Sequence, residues 1–173
     1  CLLSRGLGDV YKRQSMYTLA DILNDKCETL DIRGVAHKGF FASITDFPSY
    51  YAANMALLNY KSAQELFHEN WPIYTRTNDS CPTQYFNTAD VKNSVISNGC
   101  QIEGTVENSV IGRGCVIKKG AVVRNSVVLA EVTVGEGVHV ENEVVDKWAN
   151  LIHKKEIVSP AEQPGYIRRN DTL

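Results

Sequence analysis

The chain has 173 residues, with 18 basic and 20 acidic side chains, a net charge of −2 and 43% hydrophobic residues. This length suggests one or two small domains, and the near-neutral balance excludes a general attraction to nucleic acid or to an anionic membrane. No apolar run reaches the roughly 18 residues that a membrane-spanning helix needs. The five cysteines, Cys1, Cys27, Cys81, Cys100 and Cys115, form no CxxC pair. An odd, scattered set reads as reduced thiols of a cytoplasmic protein and argues against zinc.

In chain order, residues 1–14 (CLLSRGLGDVYKRQ) have no initiator Met and no signal-peptide pattern. They resemble translated adapter or vector sequence and are set aside as an artefact or a disordered leader. YTLADILND at 17–25 places Tyr17, Leu19, Ile22 and Leu23 at helical spacing. LDIRGVAHKGFFASI at 30–44 predicts one or two strands around Gly34 and Gly39. After it, Thr45 or Asp46 caps a helix with Pro48 in its first turn, and Tyr51, Met55 and Leu58 share a face. Ser62 and Glu65 read as a capping box for a second short helix. WPIYTRTNDSCPTQYFN at 71–87 has two prolines and little periodicity, which predicts a linker over 71–88 after an α/β segment spanning 15–70.

The next stretch carries the strongest signal. VKNSVI at 91–96 returns as VENSVI at 106–111, VRNSVV at 123–128 and VENEVV at 140–145, in steps of 15, 17 and 17. Apolar openings fall at 91, 96, 102, 106, 111, 117, 123, 128, 134, 140 and 145, and three steps make one coil. This is a hexapeptide repeat, in which short parallel strands lie on three flat faces and coils stack about 4.8 Å apart. An ordinary alternating sheet would not restore the same corner residues every 17 positions, and the Val and Gly content argues against a helix. A parallel β-helix of about four coils is expected over 89–158, with a tail at 159–173.

Several placements follow. Val106, Val123 and Val140 stack one above the next. Cys100, Val106, Cys115, Ala121, Val127, Val132, Val138 and Val144 fill the interior. Asn93, Asn108, Asn125 and Asn142 form a column at one corner, because Asn tolerates left-handed backbone and bonds neighbouring backbone groups. Trp148 and Leu151 cap the coil interior, and residues 15–90 are candidates to cover an open end. His139 lies on an outer face with no second His one coil away at 122 or 156, so no zinc cluster is predicted. Arg113, Lys118, Lys119 and Arg124 crowd the middle coils among Glu103, Glu107, Glu131 and Glu136. They read first as a solvated face and second as an anion site.

Three dissimilar segments, GFFASITDFPSYYAANMALLN, WPIYTRTNDSCPTQYF and the NSVI coils, occur in one order over residues 16–173. In that order they resemble the C-terminal part of bacterial ADP-glucose pyrophosphorylase (glucose-1-phosphate adenylyltransferase). The resemblance implies a cytoplasmic protein of glycogen synthesis. It also implies that the 15–70 segment is the end of a nucleotidyltransferase domain and that the β-helix is left-handed, as in known hexapeptide-repeat proteins. Catalytic members use magnesium and ATP, join a sugar 1-phosphate to the nucleotide and release pyrophosphate. They carry a segment like G-Y-W-x-D-V-G-T whose Asp helps hold the magnesium. Here the matching stretch is Gly39-Phe40-Phe41-Ala42-Ser43-Ile44-Thr45, so Ser43 stands where the Asp belongs. A neutral hydroxyl does not replace a carboxylate as a magnesium anchor, and SRGLGD at 4–9 has no preceding strand to make it a phosphate loop. The resemblance therefore points to the GlgD type: a chain without catalytic, metal or cofactor residues of its own. A catalytic subunit is its expected partner in a hetero- or homo-oligomer, with no nucleic acid and no membrane involved. Arg76 and Arg113 are the candidates to contact a phosphorylated effector. The alternatives are a piece of a catalytic subunit, a hexapeptide-repeat acyltransferase using His139 as base, and a bare oligomerisation module.

Overall fold

The computed structural model describes residues 18–70, 72–74 and 79–173. The expectations for residues 1–14, Tyr17 and Arg76 lie outside the described residues. The chain divides into two compact units, residues 1–38 and 39–173.

Among the described residues of the first unit one helix forms, α1 (Leu19–Asp25). Thr18 caps it: its hydroxyl accepts the Asp21 N–H at 3.3 Å, and the Asp21 carboxylate accepts the Thr18 N–H at 2.8 Å. The strands expected over 30–44 are not formed. A strand exists only where an edge accepts its hydrogen bonds, and among the described residues none runs beside this stretch. Leu30, Ile32, Val35, Phe41 and Ile44 are accordingly exposed.

The second unit opens with α2 (Phe47–Ala56) and α3 (Tyr60–Leu66). Asp46 caps α2 as expected, accepting the Ser49 N–H at 2.8 Å while Ser49 Oγ accepts the Asp46 N–H at 3.0 Å. The expected box at Ser62 and Glu65 is corrected, since both lie inside α3. Its cap is Asn59, whose carboxamide accepts the Lys61 N–H at 3.0 Å, and Asn competes well for that role.

Fifteen short strands follow. They are β1 (Gln84–Tyr85), β2 (Asp90–Lys92), β3 (Val95–Ile96), β4 (Gln101–Ile102), β5 (Thr105–Glu107), β6 (Val110–Ile111), β7 (Val116–Ile117), β8 (Val122–Arg124), β9 (Val127–Val128), β10 (Thr133–Val134), β11 (His139–Glu141), β12 (Glu143–Val145), β13 (Asn150–Leu151), β14 (Glu156–Val158) and β15 (Gly165–Ile167). Every third strand pairs in parallel, giving three five-stranded sheets: β1-β4-β7-β10-β13, β2-β5-β8-β11-β14 and β3-β6-β9-β12-β15. The chain is thus a parallel β-solenoid. Four coils carry the hexapeptide spacing, and β13–β15 add an irregular layer. The first rung begins at Gln84, inside the stretch read as linker, and the last uses residues of the tail. A two- or three-residue strand is too short to announce itself by alternation.

The register is the expected one. Val91, Val106, Val123, Val140 and Ile157 lie directly over one another. So do Ile96, Ile111, Val128, Val145 and Ile167 on the third sheet. The interior is aliphatic and dry from the second coil onward, with Ile102, Ile111, Ile117, Val123, Val134 and Val140 fully buried. Burying each such side chain contributes about 1.5–3 kcal/mol. Cys100 and Cys115 stack there as small residues, each thiol donating to a backbone carbonyl, Gly112 O and Leu129 O, at 3.0 Å.

The corners repeat as faithfully. Asn93, Asn108, Asn125 and Asn142 all adopt left-handed backbone, with φ of 44°, 46°, 44° and 56°. Asn93 Nδ2 donates to Asn108 Oδ1 at 2.7 Å, and Asn142 Nδ2 to Ser159 O at 2.8 Å. Beside this column the serines of the phrase form a second one. The Ser109 N–H donates to Ser94 Oγ, the Ser126 N–H to Ser109 Oγ and the Glu143 N–H to Ser126 Oγ, each at 3.1 Å. The corner between β4 and β5 is two residues shorter than its counterparts, which is why one repeat step is 15 and not 17. Gly104 sits there against the next coil, where a Cβ would lie 2.4 Å from Ala121 O.

Two readings need correction. Val127 and Val144 are buried, but they lie beside the inward Val128 and Val145 and so point outward, because neighbouring strand residues face opposite sides. Trp148 does not cap the interior. It sits on a corner at φ 59°, 43% exposed, with the Arg169 guanidinium 4.2 Å over its ring. Leu151 is in the core as expected, and Leu173 packs against that core from the end.

Gly104→Ala should lower stability by about 1–3 kcal/mol, the usual cost of overpacking, whereas Gly34→Ala, with nothing within 4 Å of the new Cβ, should leave it unchanged. Denaturant midpoints of the two variants against the parent chain check this.

Candidate functional site

The strongest candidate surface is the outside of the third sheet. Its outward row reads Val95, Val110, Val127, Val144 and Tyr166. Helix α2 lies across the middle of this row, where the Tyr51 hydroxyl donates to Asn125 O at 2.5 Å. Phe47 meets Tyr166 edge-on with ring centroids 5.9 Å apart. The helix therefore buries Val127 and Val144, while Val95 remains 45% exposed. Tyr166 also donates to Asp146 Oδ2 at 2.8 Å, and the Asp146 carboxyl is held below the usual range, chiefly by the Lys147 N–H. Helix α2 is thus fastened to the solenoid through the repeat's own Val and Asn positions.

The second sheet presents charge. Its outward row Lys92, Glu107, Arg124, Glu141 alternates in sign from coil to coil. Arg124 Nε lies 2.8 Å from Glu107 Oε2, and Lys92 Nζ lies 3.7 Å from Glu107 Oε1. Pairs this exposed contribute at most about 1 kcal/mol each. His139 occupies the neighbouring outward row between Val122 and Glu156, half-buried, with Nε2 3.3 Å from Glu141 Oε2. No second histidine stands beside it in that row.

The four cations that crowd the sequence do not converge. Arg113 lies on the corner between the third and first sheets, Lys118 and Lys119 on the corner between the first and second, and Arg124 at the end of β8. Arg113 is half-buried and its carbonyl accepts the Glu131 N–H at 2.8 Å. Ser43 lies exposed in irregular chain ahead of α2, and Asp46, three residues on, is committed to its helix cap. Among the described residues no group of three or more His, Cys, Asp or Glu side chains is placed to hold a metal ion, and no helix is long and apolar enough to cross a membrane.

One buried acid escaped the sequence reading. Glu143 replaces the serine of the repeated phrase and is only 4% exposed. Its carboxylate accepts the Ser159 hydroxyl and fills the space over Gly165, where a Cβ would lie 2.2 Å from Oε2. The signal was present in the change from NSV to NEV at the one coil whose neighbour breaks the repeat. Burial holds this carboxyl above the usual glutamate range, offset in part by the Ser159 hydrogen bond and the Lys154 charge.

The fold defines the chain as a hexapeptide-repeat β-solenoid protein. Residues 82–163 match the family described as GlmU-like, C-terminal hexapeptide. The chain is 31% identical over 152 residues to the glycogen biosynthesis protein GlgD of Bacillus subtilis, covering 88% of this chain and 44% of that one. It is 37% identical over 108 residues to the glucose-1-phosphate adenylyltransferase of Fervidobacterium nodosum, covering 62% of this chain and 26% of that one. A GlgD from Geobacillus stearothermophilus is 37% identical over 113 residues, covering 65% and 33% respectively. The chain is a homologue of the ADP-glucose pyrophosphorylases, of the GlgD type, and spans less than half the length of these relatives.

Because the folded state raises the Glu143 carboxyl, it binds that proton more tightly than the unfolded chain does. The favourable contribution is complete below the ordinary glutamate range and is lost as pH rises through the raised folded value. Glu143→Gln should therefore flatten the decline in stability on the alkaline side of that range and leave the variant at least as stable as the parent near pH ~7. Melting temperatures of parent and variant recorded across pH test this, and a parent–variant difference that does not change with pH would contradict it.

Proposed function

We propose that the chain serves glycogen biosynthesis in the cytoplasm as a non-catalytic, regulatory part of an ADP-glucose pyrophosphorylase-like assembly. The single observation that carries this reading is Ser43, a hydroxyl at the position where the catalytic pattern places its magnesium-holding carboxylate. Two of the relatives bear the name GlgD, which supports the same direction. The chemistry of the solenoid agrees with it: its exterior offers aliphatic and alternating-charge rows suited to packing against other polypeptide. Arg113, with Arg76, remains the proposed contact for a phosphorylated effector.

A second reading, part of a catalytic glucose-1-phosphate adenylyltransferase, is favoured by the relative of that name in Fervidobacterium nodosum. In the acyltransferase reading His139 would act as base, but its row supplies only Val122 and Glu156 as neighbours.

Co-expression of the chain with that adenylyltransferase discriminates the readings. A regulatory part should co-purify with the enzyme and change its response to phosphorylated sugars, and Arg113→Glu should weaken that response while leaving co-purification intact. Failure to associate removes the regulatory reading. Nucleotide binding that requires magnesium by the chain alone favours the catalytic one.

A further inference from the structure

Two cysteines that lie 15 residues apart in the chain are brought together by the coil. Gln101 pairs with Val116, so Cys100 and Cys115, one residue earlier on adjacent rungs, stand one above the other. Both side chains belong to the core, 1% and 0% exposed, and both thiols are free. Rungs of a parallel sheet lie about 4.8 Å apart. That spacing falls inside the range of roughly 4.4–6.8 Å usual for the Cα atoms of a disulfide.

Packing alone does not ask for sulfur here. The column runs Thr83, Cys100, Cys115, Val132 and Ala149. A place that accepts Val or Ala needs no thiol for its size. The surroundings of Cys100 are also polar for a core column. The Thr83 hydroxyl accepts the Cys100 N–H at 3.4 Å. The Cys100 sulfur, once deprotonated, is met by the Cys115 S–H, the Thr83 hydroxyl and the N–H groups of Cys115 and Gly114. Those donors, the Cys115 thiol first among them, hold the Cys100 thiol below the ordinary cysteine range despite its burial. The same hydrogen bond and burial raise Cys115. A thiol in purely apolar surroundings is inert, whereas one lowered in this way is a nucleophile.

Access is through the first coil. Thr83, over Cys100, is only half-buried, and Gln84 and Tyr85 beside it are exposed. Segments with few buried contacts open locally at small cost in free energy, and hydrogen peroxide is small enough to enter by such an opening. We propose that Cys100 and Cys115 form a peroxide-reactive dithiol whose oxidation staples the second coil to the third by a disulfide. The Cys100 thiolate attacks one oxygen of hydrogen peroxide. The O–O bond breaks, hydroxide leaves and takes the proton that Cys100 released, and Cys100 becomes a sulfenic acid. The Cys115 sulfur then attacks the sulfenic sulfur. The S–O bond breaks, the departing hydroxide takes the Cys115 proton, and the S–S bond forms. Two thiols are oxidised, and one peroxide is reduced to two waters. The inference goes beyond the assembly role proposed above and does not depend on it.

The full chain carrying Cys1→Ser, Cys27→Ser and Cys81→Ser keeps this pair as its only thiols. It is treated with hydrogen peroxide under native conditions and digested without reductant. The Cys100 and Cys115 peptides should be found linked, both thiols should be lost together, and dithiothreitol should restore them. Closing a loop of this length should raise the melting temperature by about 6–12 °C. Adding Cys115→Ala, the residue that the column carries at Ala149, should stop the reaction at the sulfenic acid, trapped on Cys100 by dimedone. Adding Cys100→Ala in its place should leave Cys115 unlabelled. Circular dichroism checks that both variants fold, and if either does not, the linked peptide decides alone. Thiols that stay unreacted at peroxide levels that oxidise Cys27 and Cys81 of the parent chain overturn the proposal. So does a link that forms only in denaturant, dimedone on Cys115 instead of Cys100, or a linked chain that melts no higher than the reduced one.

Discussion

Every feature of the second unit depends on parallel strands stacked in strict register. When one rung lies directly on the next, each inward side chain meets the same kind of side chain above and below. A column of Val or Ile then packs without the interdigitation that a two-layer sandwich requires. The interior is narrow, so its members in the four regular coils are small or β-branched, and the backbone must turn sharply after every few residues. Those turns are where Asn and Gly are admitted, in a left-handed conformation that other residues adopt only at a cost. The Asn and Ser columns satisfy the backbone groups that the turns expose, so the polar corner and the apolar core are two consequences of one register.

The exceptions to the repeat mark places where something other than the next identical coil must be accommodated. Gly104 answers a corner shortened by two residues. Glu143 reaches across to Ser159 and Gly165, where the final layer departs from the hexapeptide spacing and a serine would be too short. The outward valines of the phrase have a double use, bare at Val95 and covered by α2 at Val127 and Val144. That shared row binds the helical segment to the solenoid. A change in one can therefore be felt by the other, as a regulatory part of an enzyme would require.

Charge works differently. Charged side chains close in sequence at Arg113, Lys118, Lys119 and Arg124 are carried to different corners by the triangular cross-section. Residues 17 apart, such as Glu107 and Arg124, become neighbours. A solenoid converts periodic spacing into contact and local spacing into separation.

The amino-acid sequence alone determined the repeat, the register of Val106, Val123 and Val140, the left-handed Asn column and the cap of α2. These are set by period, by backbone preference and by contacts a few residues long. It did not determine the fate of residues 30–44, whose alternation suits a strand but which have no described edge to bond. Nor did it separate inward from outward among buried residues: Val127 and Val144 look like core but face outward, and are buried only because a helix 71 to 97 residues earlier lies over them. The half-buried state of Val91 and Ile96, the environment of Glu143 and the place of Trp148 were likewise decided by tertiary structure. In each case the deciding contacts lie between residues far apart in the chain, and no local pattern records that.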